Sequence, residues 1–121
     1  MTNVDELSDR YAPDAATSLI HTFIEALNAG DLDRLASCFA ERAIVNDAGR
    51  EIRGREAIKS WAEREFLAQD GHITPTRMHP VSALGGDIVV EAELTGARRH
   101  GPTTLVVTLT GGAIALLRLR A

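Results

Sequence analysis

Apolar residues return every three or four positions through the first half of the chain and every second position through the rest. The change of period falls at Asp70-Gly71. Ala16, Leu19, Ile20, Phe23, Ile24 and Leu27 trace one face of a helix that begins after Pro13, with Asp14 as its N-cap, and stops at Gly30. Asp31 is placed to cap a shorter helix carrying Leu32, Leu35, Ala36 and Phe39. Residues 43–47, Ala-Ile-Val-Asn-Asp, read as a short strand, and Ala48-Gly49-Arg50 turns it back through Glu51-Ile52-Arg53 as a small hairpin. Gly54 opens a third helix, with Ile58, Trp61, Ala62 and Phe66 on one face and Glu56, Lys59, Glu63 and Arg64 on the other.

Four strands follow. Residues 72–84 form the first, which Pro75 and Pro80 confine to an edge or a bulge. Gly85-Gly86-Asp87 turns into residues 88–95, where Ile88, Val90, Ala92 and Leu94 alternate with Val89, Glu91, Glu93 and Thr95. Strands at 103–110 and 113–120 are joined by Gly111-Gly112, a favoured hairpin dipeptide. The expected fold is α+β: a curved antiparallel sheet with three helices packed on its concave face. Residues 1–13 are expected to be a flexible tail, and residues 14–121 a single domain. In this register Ile88, Val90, Ala92 and Leu94 face the helices together with Val107, Leu117 and Leu119. Val89, Val106, Ile114 and Leu116 face outward.

Length and composition agree with one domain, since 121 residues with 45% hydrophobic and 25% charged side chains can bury a core without staples. The lone Cys38 excludes an intrachain disulfide framework and a cysteine-rich zinc site. No apolar run is long enough to span a bilayer, and the acidic, polar start is unlike a secretory signal, so a reducing cytoplasm is the expected compartment. A net charge of −4 argues against nucleic acid as a partner. The distribution of charge adds more. All 17 acids lie at or before Glu93, whereas the last 28 residues hold Arg98, Arg99, Arg118 and Arg120 and no acid. Carboxylate chemistry must therefore come from the first three quarters of the chain.

The segments Phe-Ile-Glu-Ala-Leu-Asn-Ala-Gly-Asp-Leu-Asp (23–33), Ala-Ile-Val-Asn-Asp (43–47) and Gly-Arg-Glu-Ala-Ile (54–58) resemble the nuclear transport factor-2-like superfamily, in its SnoaL-like and ketosteroid isomerase-like branch. The resemblance runs over residues 14–121. It implies a cone-shaped, cystatin-like α+β barrel around a deep apolar pocket. It also places Asp47 where ketosteroid isomerases carry their general base. Phe23 falls where those isomerases carry a tyrosine, and it has no hydroxyl to donate. Their second pocket acid falls near Leu105. Limonene epoxide hydrolases need an Arg-x-Asp pair, which is absent from this chain. Steroid isomerisation with an oxyanion hole and epoxide hydrolysis are both disfavoured on these residues.

Asp47 is the leading catalytic candidate. Sharing a strand face with Ala43 and Val45, it is expected to point inward, where burial in an aliphatic cavity would raise its pKa toward neutrality and suit it to proton transfer. The competing assignment is a turn cap, because Asp before Ala48-Gly49 commonly bonds backbone two residues on. His79, between Met78 and Pro80, is the histidine expected to reach the pocket mouth and pair with Asp47 as a proton shuttle. His21, His72 and the hairpin-tip His100 read as boundary or solvated residues. No histidine pair or Glu-x-x-His spacing suggests a metal, and no glycine pattern suggests a dinucleotide, so no metal or cofactor is expected.

The expected ligand wall comprises Phe23, Leu27, Val45, Ile58 and Trp61 from the first half, with Val90, Ala92, Val107, Leu117 and Leu119 from the sheet. These readings point to a small cofactor-free enzyme performing acid–base chemistry (isomerase, cyclase, dehydratase or hydratase type) on a hydrophobic metabolite. The rival classes are a non-catalytic carrier of a lipophilic molecule and a protein-interaction domain using the outer sheet face. That face, apolar with a charged rim, is expected to form a two-fold homodimer.

Overall fold

The computed structural model describes residues 14–80, 87–96 and 99–120. Helix α1 (Asp14–Ala29) lays Ile20, Phe23, Ile24 and Leu27 into the core. It ends at Gly30, whose φ of 72° is the left-handed conformation a helix stop favours. A side chain there would meet Leu67 at 2.6 Å. Asp31 then caps α2 (Leu32–Ser37) by accepting from the Arg34 backbone N–H at 3.1 Å. The side chain of Asp14, expected to cap α1, lies outside the described residues.

Strand β1 runs from Phe39 to Asp47, four residues longer at its start than its apolar alternation predicts. Phe39 leaves the helix because its backbone pairs with the last strand, and its ring packs edge-on against Phe23 at 5.7 Å. Ala48 (φ 53°) and Gly49 (φ 93°) make the two-residue turn into β2 (Arg50–Arg53), with positive φ at both positions as a type I′ hairpin requires. Helix α3 (Arg55–Ala62) continues into a π-helical turn (Glu63–Leu67), marked by the bond from Ala68 N–H to Glu63 O at 2.7 Å.

Strands β3 (His72–Pro80), β4 (Asp87–Thr95), β5 (Gly101–Thr110) and β6 (Ala113–Arg120) complete one six-stranded sheet in the order β2-β1-β6-β5-β4-β3. The expected strand end at 81–84 and the Gly85-Gly86 turn lie outside the described residues. The sheet is curved and open. It is antiparallel except where β1 runs parallel to β6. Asn28 ties α1 to the edge strand: its amide donates to Ile73 O and accepts from Ile73 N–H, both at 2.8 Å. Among the described residues, no helix is long and apolar enough to cross a membrane.

The core lies between sheet and helices. Ile88, Val90, Ala92 and Leu94 are buried, and Glu91 and Glu93 face away, as the alternation predicts. Pro75 and Pro80 sit on the edge strand β3, with a bulge between Pro75 and Arg77. Ile114 is a correction. It is fully buried, because the pairing steps from Thr108–Leu116 to Leu109–Ile114 and leaves Ala115 as an extra residue. That β-bulge turns Ile114 from the outer face to the inner one.

Ile114→Ala should therefore lower stability by about 2–5 kcal/mol in urea unfolding, as deletion of a buried side chain does, and Leu116→Ala by clearly less. A strand without the bulge would reverse the order.

Candidate functional site

Asp47 ends β1 on the inner face, in the cross-sheet row Asp47–Leu119–Leu105–Val90–Met78. Its neighbours in that row are core side chains, so the carboxylate is drawn down to 5% exposure. The bond that would have made it a turn cap belongs to Asn46, whose Oδ1 accepts from Gly49 N–H at 2.8 Å. Asp47 is left to side-chain donors, and three of them reach its Oδ2. The indole N–H of Trp61 donates at 2.9 Å, Arg99 Nη2 at 2.6 Å and Arg50 Nη2 at 3.3 Å.

Each donor is delivered by a different element. Trp61 is fully buried on α3 and meets Phe66 edge-on at 5.3 Å, which fixes the indole. Arg50 stands directly across the type I′ hairpin from Asp47. Arg99 lies between β4 and β5, its guanidinium 5.9 Å from the centre of the Phe66 ring, within cation–π range. A second acid completes the network. Glu65, on the π-helical turn, takes Arg99 at 3.0 Å and Arg50 at 3.6 Å. Two guanidinium groups thus bridge two carboxylates around one buried indole.

The electrostatics reverse one expectation. Burial alone pushes the Asp47 carboxyl up, but the hydrogen bonds from Arg99 and Trp61 and the charges of Arg99 and Arg50 outweigh it. The net pKa lies below the ordinary value. Arg99 moves upward in turn, chiefly through its bond to Asp47. The group is a carboxylate held in its ionised form at neutral pH, not a near-neutral acid.

A cavity of about 350 Å³ opens beside this pair. Asp47, Arg99 and His100 supply its polar wall, and Ala48, Leu94, Pro102 and Leu119 its apolar one. Thr103 also lines it, with its hydroxyl donating to Arg120 O at 2.8 Å. Of the expected ligand wall, Leu119 borders this cavity. Phe23, Leu27, Val45, Ile58, Trp61, Val90, Ala92, Val107 and Leu117 pack against one another in the core. Phe23 lies there edge-on to Phe39.

His79 is not brought to Asp47. It belongs to the next row, His79–Val89–Val106–Arg118–Asn46, so it leaves the sheet on the opposite face, with β4, β5 and β6 between its strand and β1. An alternation shifted by one residue on a bulged strand is enough to send it there. His21 and His72 are exposed, as expected, and the exposed His100 reaches the cavity rim. Among the described residues, no three His, Cys, Asp or Glu side chains gather as a metal site would need.

Arg99, Glu65 and Arg50 escape a sequence reading. Arg99 sits in Arg98-Arg99-His100-Gly101, which looks like a solvated hairpin tip. The available signal is the acid-free C-terminal quarter, whose arginines have to find carboxylates contributed by distant segments.

A family model described as a SnoaL-like domain matches residues 20–120. Among solved structures, a candidate polyketide cyclase from Sinorhizobium meliloti superposes with a TM-score of 0.76 at 25% identity, over 85% of this chain and 94% of that one. A candidate ketosteroid isomerase from Kribbella flavida gives 0.74 at 18% identity, over 88% and 76%. A protein of unknown function with a cystatin-like fold from Methylobium petroleophilum gives 0.78 at 17%, over 90% and 76%.

The lowered pKa has a direction that can be measured. A carboxyl whose folded pKa lies below its unfolded value stabilises the fold above the unfolded pKa, and that contribution is lost as pH falls through the folded one. The stability difference between wild type and Asp47→Asn, from urea midpoints, should be flat from about pH 8 to about pH 5 and narrow below about pH 4, the unfolded Asp range. A difference that moves between about pH 5 and about pH 7 would show a carboxyl titrating there and reverse the assignment.

Proposed function

The chain belongs to the SnoaL-like domain family, and on that premise we propose that it is a small acid–base enzyme acting on an apolar metabolite in the cavity beside Asp47. The observation that carries this reading is the 2.6 Å contact between a 5%-exposed carboxylate and a guanidinium on the wall of one cavity. A proton acceptor and a stabiliser of developing negative charge stand side by side there.

The roles follow from the atoms. Asp47 is ionised at any physiological pH, so it is ready to accept a proton. Its donors converge on Oδ2, which leaves Oδ1 as the oxygen to meet the substrate. Trp61 holds the carboxylate through its indole N–H at Oδ2. Arg99 is the electrophilic partner: a substrate oxygen that gains negative charge as a C–H or O–H proton leaves is stabilised by the guanidinium. The same movement tunes the base. As Arg99 turns toward the substrate oxygen, its hold on Asp47 weakens, and the carboxylate becomes more basic at the moment a proton is transferred. Isomerisation, aldol-type cyclisation, dehydration and hydration all use this pair of roles.

A carrier of a lipophilic molecule would use the same cavity without the chemistry, and the two readings part on substitution. Asp47→Asn should fold as wild type in circular dichroism. On the substrate that wild type turns over, it should lose on the order of 10²–10⁴-fold in kcat/KM, the usual loss with a general base. Turnover within a few-fold of wild type would leave only the carrier.

The outer face supports the second part of the proposal, a two-fold homodimer. Val89, Val106 and Leu116 are partly exposed there. His79 Nδ1 and Arg118 Nε are buried without hydrogen-bond partners among the described residues, both in one outer row. Acids lie on β4 (Asp87, Glu91, Glu93) and arginines on β6 (Arg118, Arg120), so a two-fold axis over β5 sets each set against the other. Sedimentation should show twice the 13.0 kDa chain mass. Val106→Asp should return it to 13.0 kDa, and a wild-type monomer at micromolar concentration would refute the interface.

A further inference from the structure

The cavity beside Asp47 has an unusual charge state for a binding site. Its wall carries one carboxylate and one guanidinium already in contact at 2.6 Å. Behind them Glu65 and Arg50 repeat the pairing, at 3.0 Å from Arg99 to Glu65 and 3.3 Å from Arg50 to Asp47. Two positive and two negative groups leave the network without net charge.

We infer that the Asp47–Arg99 pair is a charge filter that selects uncharged ligands bearing one hydroxyl or enolisable carbonyl on an apolar body, and rejects both carboxylates and amines. This rests on the reading that the cavity beside Asp47 is the ligand site.

An entering carboxylate would gain Arg99 only by displacing Asp47, which would then stand nearly buried with its strongest donor gone. Leaving a buried charge without its partner is among the costliest changes a protein interior can undergo. An entering ammonium would have to share Asp47 with Arg99 and Arg50, and like charges would meet at close range. A hydroxyl or an enolisable carbonyl does neither. It offers a proton to Asp47 Oδ1 and a lone pair to the guanidinium, whose five N–H groups exceed what Asp47 and Glu65 take up. The apolar part of the ligand then lies on Ala48, Leu94, Pro102 and Leu119. At about 350 Å³ the cavity stands near the lower end of the range for small-molecule sites, room for a bicyclic skeleton.

The filter is tested by calorimetric titration at neutral pH with three probes of one shape: 2-naphthol, 2-naphthoate and 2-naphthylmethylammonium. Wild type should bind the naphthol at least on the order of ten-fold more tightly than either ion, since selectivity of this kind comes from what is repelled. Removing one member of the pair should shift the preference to the opposite ion. Asp47→Asn leaves Arg99 in surplus and should move 2-naphthoate ahead of the naphthol. Arg99→Gln leaves Asp47 in surplus and should move the ammonium ahead. If Arg99→Gln does not fold, the wild-type ranking and Asp47→Asn decide the matter. Equal or tighter wild-type binding of either ion overturns the filter, and so does failure of all three probes to bind. Titration involves no turnover. A protein with this ranking and no catalysis keeps the filter and loses the acid–base reading. One that turns over substrate yet prefers 2-naphthoate does the reverse.

Discussion

A carboxylate held at 5% exposure has to be compensated where it stands, and much of this molecule is arranged around that demand. Asp47 is inward because β1 alternates, and it cannot retreat to solvent because the turn that follows is tight and already capped by Asn46. Compensation therefore comes to it. Trp61 brings a neutral donor from α3, Arg50 a charge from across the hairpin, and Arg99 a charge from between β4 and β5. Desolvation and compensation pull the pKa in opposite directions, and compensation wins. The pair is thus an ionised carboxylate beside a guanidinium, on the wall of one cavity.

The scaffold delivers these groups through ordinary devices at unusual places. A type I′ turn puts Arg50 opposite Asp47. The π-helical turn after α3 carries adjacent residues to two destinations: Phe66 lies against Trp61 and beneath Arg99, while Glu65 takes the arginines. Arg99 is 30% exposed at its side chain, on the wall of the cavity. The site joins a buried half, the indole and carboxylate, to a solvent-facing half formed by the two arginines.

Periodicity carried far into the fold. The helices that begin near Asp14, Asp31 and Gly54, the β1–β2 hairpin and the inward set on β4 all follow from spacing and turn residues. Their reasons are local: an apolar face, a cap, a positive φ. Local rules failed where pairing partners intervened. Phe39 has a helical neighbourhood but pairs with Ile114, and Ile114 is turned inward by one extra residue on β6. His79 sits in a bulged strand whose register, set by β4, sends it to the outer face. The residues expected as a pocket wall lie on the inner face and pack against one another in the core, and of them Leu119 also borders the cavity where Arg99 and Asp47 meet.

By itself, then, the sequence determined the element order, the α+β class, the inward side of Asp47 and the surplus of arginine in a C-terminal quarter without acids. Each of these depends on neighbours within a few residues, or on composition. Tertiary structure alone decided which arginine meets which acid, the direction in which the Asp47 pKa moves and where a cavity remains. Asp47 and Arg99 are separated by 52 positions, yet they touch at 2.6 Å. No local pattern records such a contact, because it exists only once six strands are in register and the helices have closed over them.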